Sequence, residues 1–144
     1  MLKIRSEQIE AFQPVADAQF VRRIVEHLRQ RQSTTTVRLP YGPTLLIRLP
    51  DALLQRMVQE GVARARSYGL TWESSITGFV VLMFKVAPNF DQHPAINRAL
   101  TDPQVAPDAR IQKLLEVTTS SDWWEAKERY DPTVWPARSM GAAG

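Results

Sequence analysis

One stretch of the chain constrains its fold more than any other. A helix from Trp72 to about Val86, with Thr71 as its capping residue, carries Gly78-Phe79-Val80-Val81-Leu82-Met83-Phe84 in its middle and is apolar on every side there. Its longest uninterrupted apolar run, Phe79 to Phe84, is far short of the ~20 residues that span a bilayer. The alternative to a membrane is burial by neighbouring helices, so the sequence predicts an all-α chain, a single compact bundle of five to six helices with this one at its centre.

The neighbours are legible from apolar spacing. Ser6 opens a first helix that Pro14 interrupts or restarts, and from Val15 the positions Ala16, Phe20, Val21, Ile24, Val25 and Leu28 recur at three- and four-residue steps to Arg31. Asp51 can cap a second helix whose stripe runs Leu54, Met57, Val58, Gly61, Val62, Ala65 and Tyr68, with Gly69 placed for a left-handed C-terminal residue. A glycine inside such a stripe costs about 1 kcal/mol against alanine, and close approach of another helix is its use here. Later helices start at Pro94, running to Thr101; at Pro107, with Ile111, Leu114, Leu115 and Thr118 on one face; and at Asp122, running from Trp123 to Tyr130 with Glu125 as a capping-box partner. Between the first two helices, Ser33–Leu39 and Thr44–Leu49 flank Pro40-Tyr41-Gly42-Pro43, which reads either as a small β-hairpin at about 34–49 or as an extended loop. With 144 residues, no internal repeat and no linker, the expectation is one domain over 1–136 and a disordered tail over 137–144.

Composition removes most chemistry. The absence of cysteine excludes disulfides, thiol nucleophiles and cysteine-ligated metals, and two histidines, His27 and His93, cannot form a three-histidine site. Phosphate-binding glycine loops, Gly-x-Ser-x-Gly and the paired-histidine zinc motif are missing. The one polar constellation is Asn89-Phe90-Asp91-Gln92-His93-Pro94. Its alternating Asn89, Asp91 and His93 could begin a metal site for a hydrolase, but the same residues suit a turn whose Asp91 or His93 caps the Pro94 helix while Phe90 fills the core. The turn is the preferred reading, so no catalytic residue, metal or cofactor is expected. His27 reads as a boundary residue beside the first apolar stripe.

Charge is uneven: residues 1–72 hold 11 basic and 6 acidic side chains, residues 73–144 hold 7 and 9. No like-charge run exceeds Arg22-Arg23, too sparse for a nucleic-acid surface. The two helices meeting at Tyr68-Gly69-Leu70-Thr71 are no DNA reader either, because the second would offer Phe79 to Phe84 to a groove that requires polar side chains. Neither nucleic acid nor membrane is an expected partner, and with no signal-like apolar segment after Met1 the expected location is cytoplasmic. Three of the four tryptophans, Trp123, Trp124 and Trp135, lie with Tyr130 in the last fifth of the chain. Adjacent tryptophans on a helix diverge by about 100°, so one of them faces a groove or a partner unless the whole cluster staples the C-terminal segment to the bundle. The residues picked for partner binding are Trp123, Trp124, Tyr130 and Trp135, with Arg22, Arg29 and Arg31 of the first helix and Arg38, Tyr41 and Arg48 of the hairpin.

The string Gly61-Val62-Ala63-Arg64-Ala65-Arg66-Ser67-Tyr68-Gly69-Leu70, then Glu73, Phe79–Phe84, Pro88-Asn89-Phe90-Asp91, Pro94 to Leu100, Asp102-Pro103, Pro107 with Arg110, and Trp124 to Tyr130-Asp131-Pro132 with Trp135, resembles small helical bacterial accessory proteins. These are encoded beside PAAR-type spike and toxin genes of type VI secretion systems. The resemblance covers about residues 55–135. It implies a non-enzymatic adaptor or chaperone-like protein that binds a secreted effector or its PAAR-type spike protein; an immunity protein that neutralises a cognate toxin is the alternative. Residues 33–50 depart from the group, which usually has a short polar link there, and Pro88 stands where a glycine is common.

Overall fold

The computed structural model describes residues 6–136, with side chains from Asp17 onward. Six α-helices and one two-stranded antiparallel hairpin make up the described fold: α1 (Ser6–Arg31), β1 (Thr36–Leu39), β2 (Gly42–Leu45), α2 (Asp51–Ser67), α3 (Glu73–Lys85), α4 (Pro94–Leu100), α5 (Arg110–Val117) and α6 (Ser120–Glu128). The expected helical bundle with a small hairpin is therefore what forms. The expectation for 137–144 lies outside the described residues. No described helix is long and apolar enough to cross a membrane.

α2 packs along α3, and α1 lies across both, so Ile24, Leu28, Leu54, Met57, Phe79 and Met83 meet in one core. Fully burying each such side chain contributes roughly 1.5–3 kcal/mol. Gly61 sits at the α2–α3 contact, where a Cβ would lie 2.9 Å from Met83 Sδ and 3.0 Å from Val80 Cγ2. α2 closes in a Schellman arrangement: Leu70 N donates to Ala65 O, Gly69 N donates to Arg66 O, and Gly69 takes φ +89°, which glycine alone adopts cheaply.

Several helix starts differ from the sequence reading, each for a physical reason. α1 runs through Pro14 without a break, since a proline removes one helical hydrogen bond and the turns on either side hold the rest. Asp51 is the first residue of α2 and not its cap, and its carboxylate pairs with Arg29 of α1 at 2.6 Å. Thr71 does not cap α3, and its N-cap position, Trp72, carries no side-chain cap; Asp108, just before α5, instead ties down the link ahead of the helix. Its carboxylate accepts from Thr71 N, Thr71 Oγ1 and Trp72 N at 2.6–2.8 Å. Burial pushes the Asp108 carboxyl up, but the hydrogen bonds from Thr71 and Trp72 outweigh it and hold its pKa below the ordinary value. α6 begins earlier than Asp122 because Thr119 is the cap: Asp122 N donates to Thr119 Oγ1, and Asp122 reaches back to accept from Thr119 N.

The hairpin is tighter than its sequence suggests. Thr36 pairs with Leu45 and Leu39 with Gly42, leaving Pro40 and Tyr41 as the turn, and a 3₁₀ turn at Leu46–Arg48 replaces the far end of the second strand. Val37, Leu39 and Leu46 point into the core, which fixes the hairpin's register.

Candidate functional site

The C-terminal aromatics separate sharply by position. Trp135 is 3% exposed and packs on Phe84 of α3 with ring centroids 4.9 Å apart. Its indole N–H donates to Tyr130 Oη at 2.9 Å, and the same oxygen accepts from Arg38 N at 3.0 Å. The Arg38 guanidinium lies 4.3 Å from the Tyr130 ring centroid and donates to Lys127 O. Buried Asn89 completes the attachment, donating to Arg129 O and accepting from Asp131 N. Trp135, Tyr130 and Arg38, picked from the sequence as recognition residues, are thus internal ties that fasten the C-terminal segment to α3 and β1.

Arg29 is likewise internal. Its guanidinium donates to Ile47 O, Leu49 O and Asp51 Oδ1, filling carbonyls at the end of the hairpin. Trp123 is partly buried against the core, while Trp124, one residue on, is 62% exposed. Arg22 and Arg31 are exposed on α1, and Tyr41 and Arg48 line a shallow depression of about 200 Å³ beside the hairpin. The ten residues therefore form no single surface.

The Asn89–Pro94 segment folds as a turn, and its polar side chains take different partners. A 3₁₀ turn at Phe90–Gln92 buries Phe90 against Phe79, ring centroids 5.0 Å apart. Asp91, 4% exposed, accepts from Tyr68 Oη at 2.8 Å and pairs with Arg64. Arg64 also donates to Pro88 O, and Asn97 donates to Tyr68 Oη and Asp91 O. Burial, then the hydrogen bond to Asp91, leaves the Tyr68 phenol pushed up to about 12. With every member bonded, this is a structural network.

His93 faces elsewhere. Its Nδ1 accepts from Ala95 N at 3.2 Å, capping α4, and its Nε2 meets Glu125 Oε2 of α6 at 2.9 Å. The sequence pairing of Asp91 with His93 as metal ligands is not realised. The structure instead gathers His93, Asp122 and Glu125, whose ligand atoms lie within 4.8 Å of one another. Their bonding opposes a cation: an Nδ1 that accepts a hydrogen bond puts the ring proton on Nε2, the atom a metal would need, and Asp122 is held in the capping box. α6 lies some thirty residues beyond His93, and no spacing rule links them.

An open apolar groove along α3 was not anticipated from the sequence. α3, read as central and enclosed, is covered on only part of its circumference. Ile76, Phe79, Val80, Met83 and Phe84 face the core, but Ser74, Thr77, Gly78, Val81 and Leu82 form the floor of an open groove of about 550 Å³. His27 of α1 stands on one side, and Ile111 and Leu115 of α5 stand on the other. α5 comes close to α3 at Gly78, where a Cβ would lie 3.3 Å from Ile111 Cγ2. Leu115, expected to share the buried face of α5, is 53% exposed at the rim. The available sign was the excess of apolar positions on α3 over what its neighbours α1, α2 and α5 cover.

Comparison with family models, curated proteins and solved structures finds no match to the chain.

Proposed function

We propose that the protein is a non-enzymatic adaptor or chaperone-like accessory protein that binds a secreted effector, or the PAAR-type spike protein that carries it, through the groove along α3. The observation that carries this reading is the open flank of α3: exposed Leu115 stands beside half-buried Val81 and Leu82 in a concave site large enough for a partner's side chains. The resemblance of residues 55–135 to type VI accessory proteins supplies the class of partner. Exposed Trp124 is a second anchor of the type that interfaces favour.

The test is co-purification with the products of neighbouring effector and spike genes, comparing the wild type with Leu115→Asp. Wild type retains effector together with spike protein and is required for effector export, and Leu115→Asp loses both properties while keeping its circular-dichroism spectrum. Protection of cells from the toxin with no effect on export would overturn the adaptor reading in favour of an immunity protein.

A further inference from the structure

Resting on that reading of the groove, we infer that its occupant is an amphipathic helix of the partner, lying antiparallel to α3 with an acid-rich first turn against Lys85. The groove runs the length of α3, from Glu73 at one end to Lys85 at the other. At 1.5 Å per residue that is about 18 Å, the length of a helix of about a dozen residues. Every element lining it is a helix, and helices have already used their backbone N–H and C=O groups. An extended segment would find no sheet edge to join there and would bury unpaired backbone groups, whereas a helix arrives with its own satisfied.

Shape decides against a second copy of this chain. The face is concave, with α3 as floor and His27 and Leu115 on its walls, so two copies related by a twofold axis would enclose unfilled space. A convex ridge of apolar side chains at three- and four-residue spacing fills it.

Charge sets the direction. Glu73 is held by Arg23 at 2.9 Å, so that end of the groove is near neutral. Lys85 forms no ion pair among the described residues and leaves an uncompensated cation at the other end. Helices favour Asp and Glu in the first turn, and the positive first-turn amides of the incoming helix also meet the negative C-terminus of α3 when the two run antiparallel. In the parallel orientation the first-turn amides of the incoming helix would meet the likewise positive N-terminus of α3.

The experiment is selection of a displayed library of helical peptides of roughly 15–18 residues against the full chain, with the Leu115→Asp chain as counter-selection. Enriched peptides carry apolar residues at helical spacing and Asp or Glu in the first turn, and lose roughly tenfold or more in affinity for Leu115→Asp. Selection against Lys85→Glu shifts the first turn to Lys or Arg. A spin label on the peptide N-terminus broadens amide signals around Lys85 and not those around Glu73. Absence of enrichment, peptides without helical periodicity, the reverse orientation, or a dimer in sedimentation that Leu115→Asp dissolves would each overturn the inference. When one of these results is found and co-purification with effector still depends on Leu115, the helix inference alone fails and the groove stands; when co-purification does not depend on Leu115, the groove itself fails.

Discussion

Replacing Gly61 by alanine sets two opposing effects against each other. Helix propensity alone makes Gly61→Ala stabilising by about 1 kcal/mol. The new methyl, however, would lie 2.9 Å from Met83 Sδ and 3.0 Å from Val80 Cγ2, where carbon contacts are ordinarily near 3.5–4.0 Å. Met83 can swing its thioether aside, but Val80 is β-branched and held to one rotamer on a helix, so α2 and α3 must separate by a few tenths of an ångström. Overpacking of this kind costs about 1–3 kcal/mol and exceeds the propensity gain. The expected outcome is a net loss of about 1 kcal/mol, or a fall of about 3–5 °C in Tm, read by thermal and urea unfolding. In a Val80→Ala background the same substitution becomes neutral or stabilising, because the stiff neighbour is gone and the cycle reads the coupling directly. A Tm that rises by the full propensity increment in the otherwise wild-type chain would refute close approach as the reason for this glycine.

Other perturbations separate structural ties from surface. Trp135→Ala is expected to cost about 3–5 kcal/mol because it empties a buried site against Phe84, whereas Trp124→Ala stays within about 0.5 kcal/mol; urea midpoints for the two variants check this. Asp108→Ala is expected to lower stability by about 1–2 kcal/mol near neutral pH by releasing the link of Thr71 and Trp72 ahead of α3. Since the folded pKa of Asp108 is depressed, that contribution is complete above the ordinary carboxyl value of ~3.9 and disappears as pH falls through the folded value. The gap between wild type and variant should therefore close in acid, as urea unfolding across pH will show. Tyr68 has a raised folded pKa, so its contribution is full below ~10 and is lost as pH rises through about 12. Tyr68→Phe should remove the phenolate absorbance step near 12 and cost about 1–3 kcal/mol by leaving Asp91 without its hydroxyl donor. A missing step centred near the ordinary value would show that burial does not act on this phenol.

Individual residues show how far the sequence could be followed. Gly69, His93 at the start of α4, and the α2 stripe from Leu54 to Ala65 follow rules that operate within about four residues, and the structure has them as read. Asp51, Thr71 and Asp122 were misplaced as caps because a cap is whichever oxygen reaches the free N–H groups first. For α6 that oxygen belongs to Thr119, three residues before Asp122, and ahead of α3 the N–H groups of Thr71 and Trp72 are taken by Asp108, more than thirty residues away. Arg29, Arg38, Tyr130 and Trp135 looked like a recognition surface because aromatic and arginine residues serve interfaces and internal ties with the same chemistry, and only the partners they take in the folded chain tell the two apart.

By itself the sequence determined an all-α bundle of five to six helices, since a 3.6-residue apolar period and short-range turn signals do not depend on distant partners. It also excluded thiol chemistry and polyhistidine metal sites, because those require residues the chain lacks. Only the tertiary structure decided which faces were covered. α3 is apolar all round, yet whether Val81 and Leu82 meet a neighbour or solvent depends on how α1 and α5 cross it. That is a property of packing geometry, which no periodicity along a single helix contains.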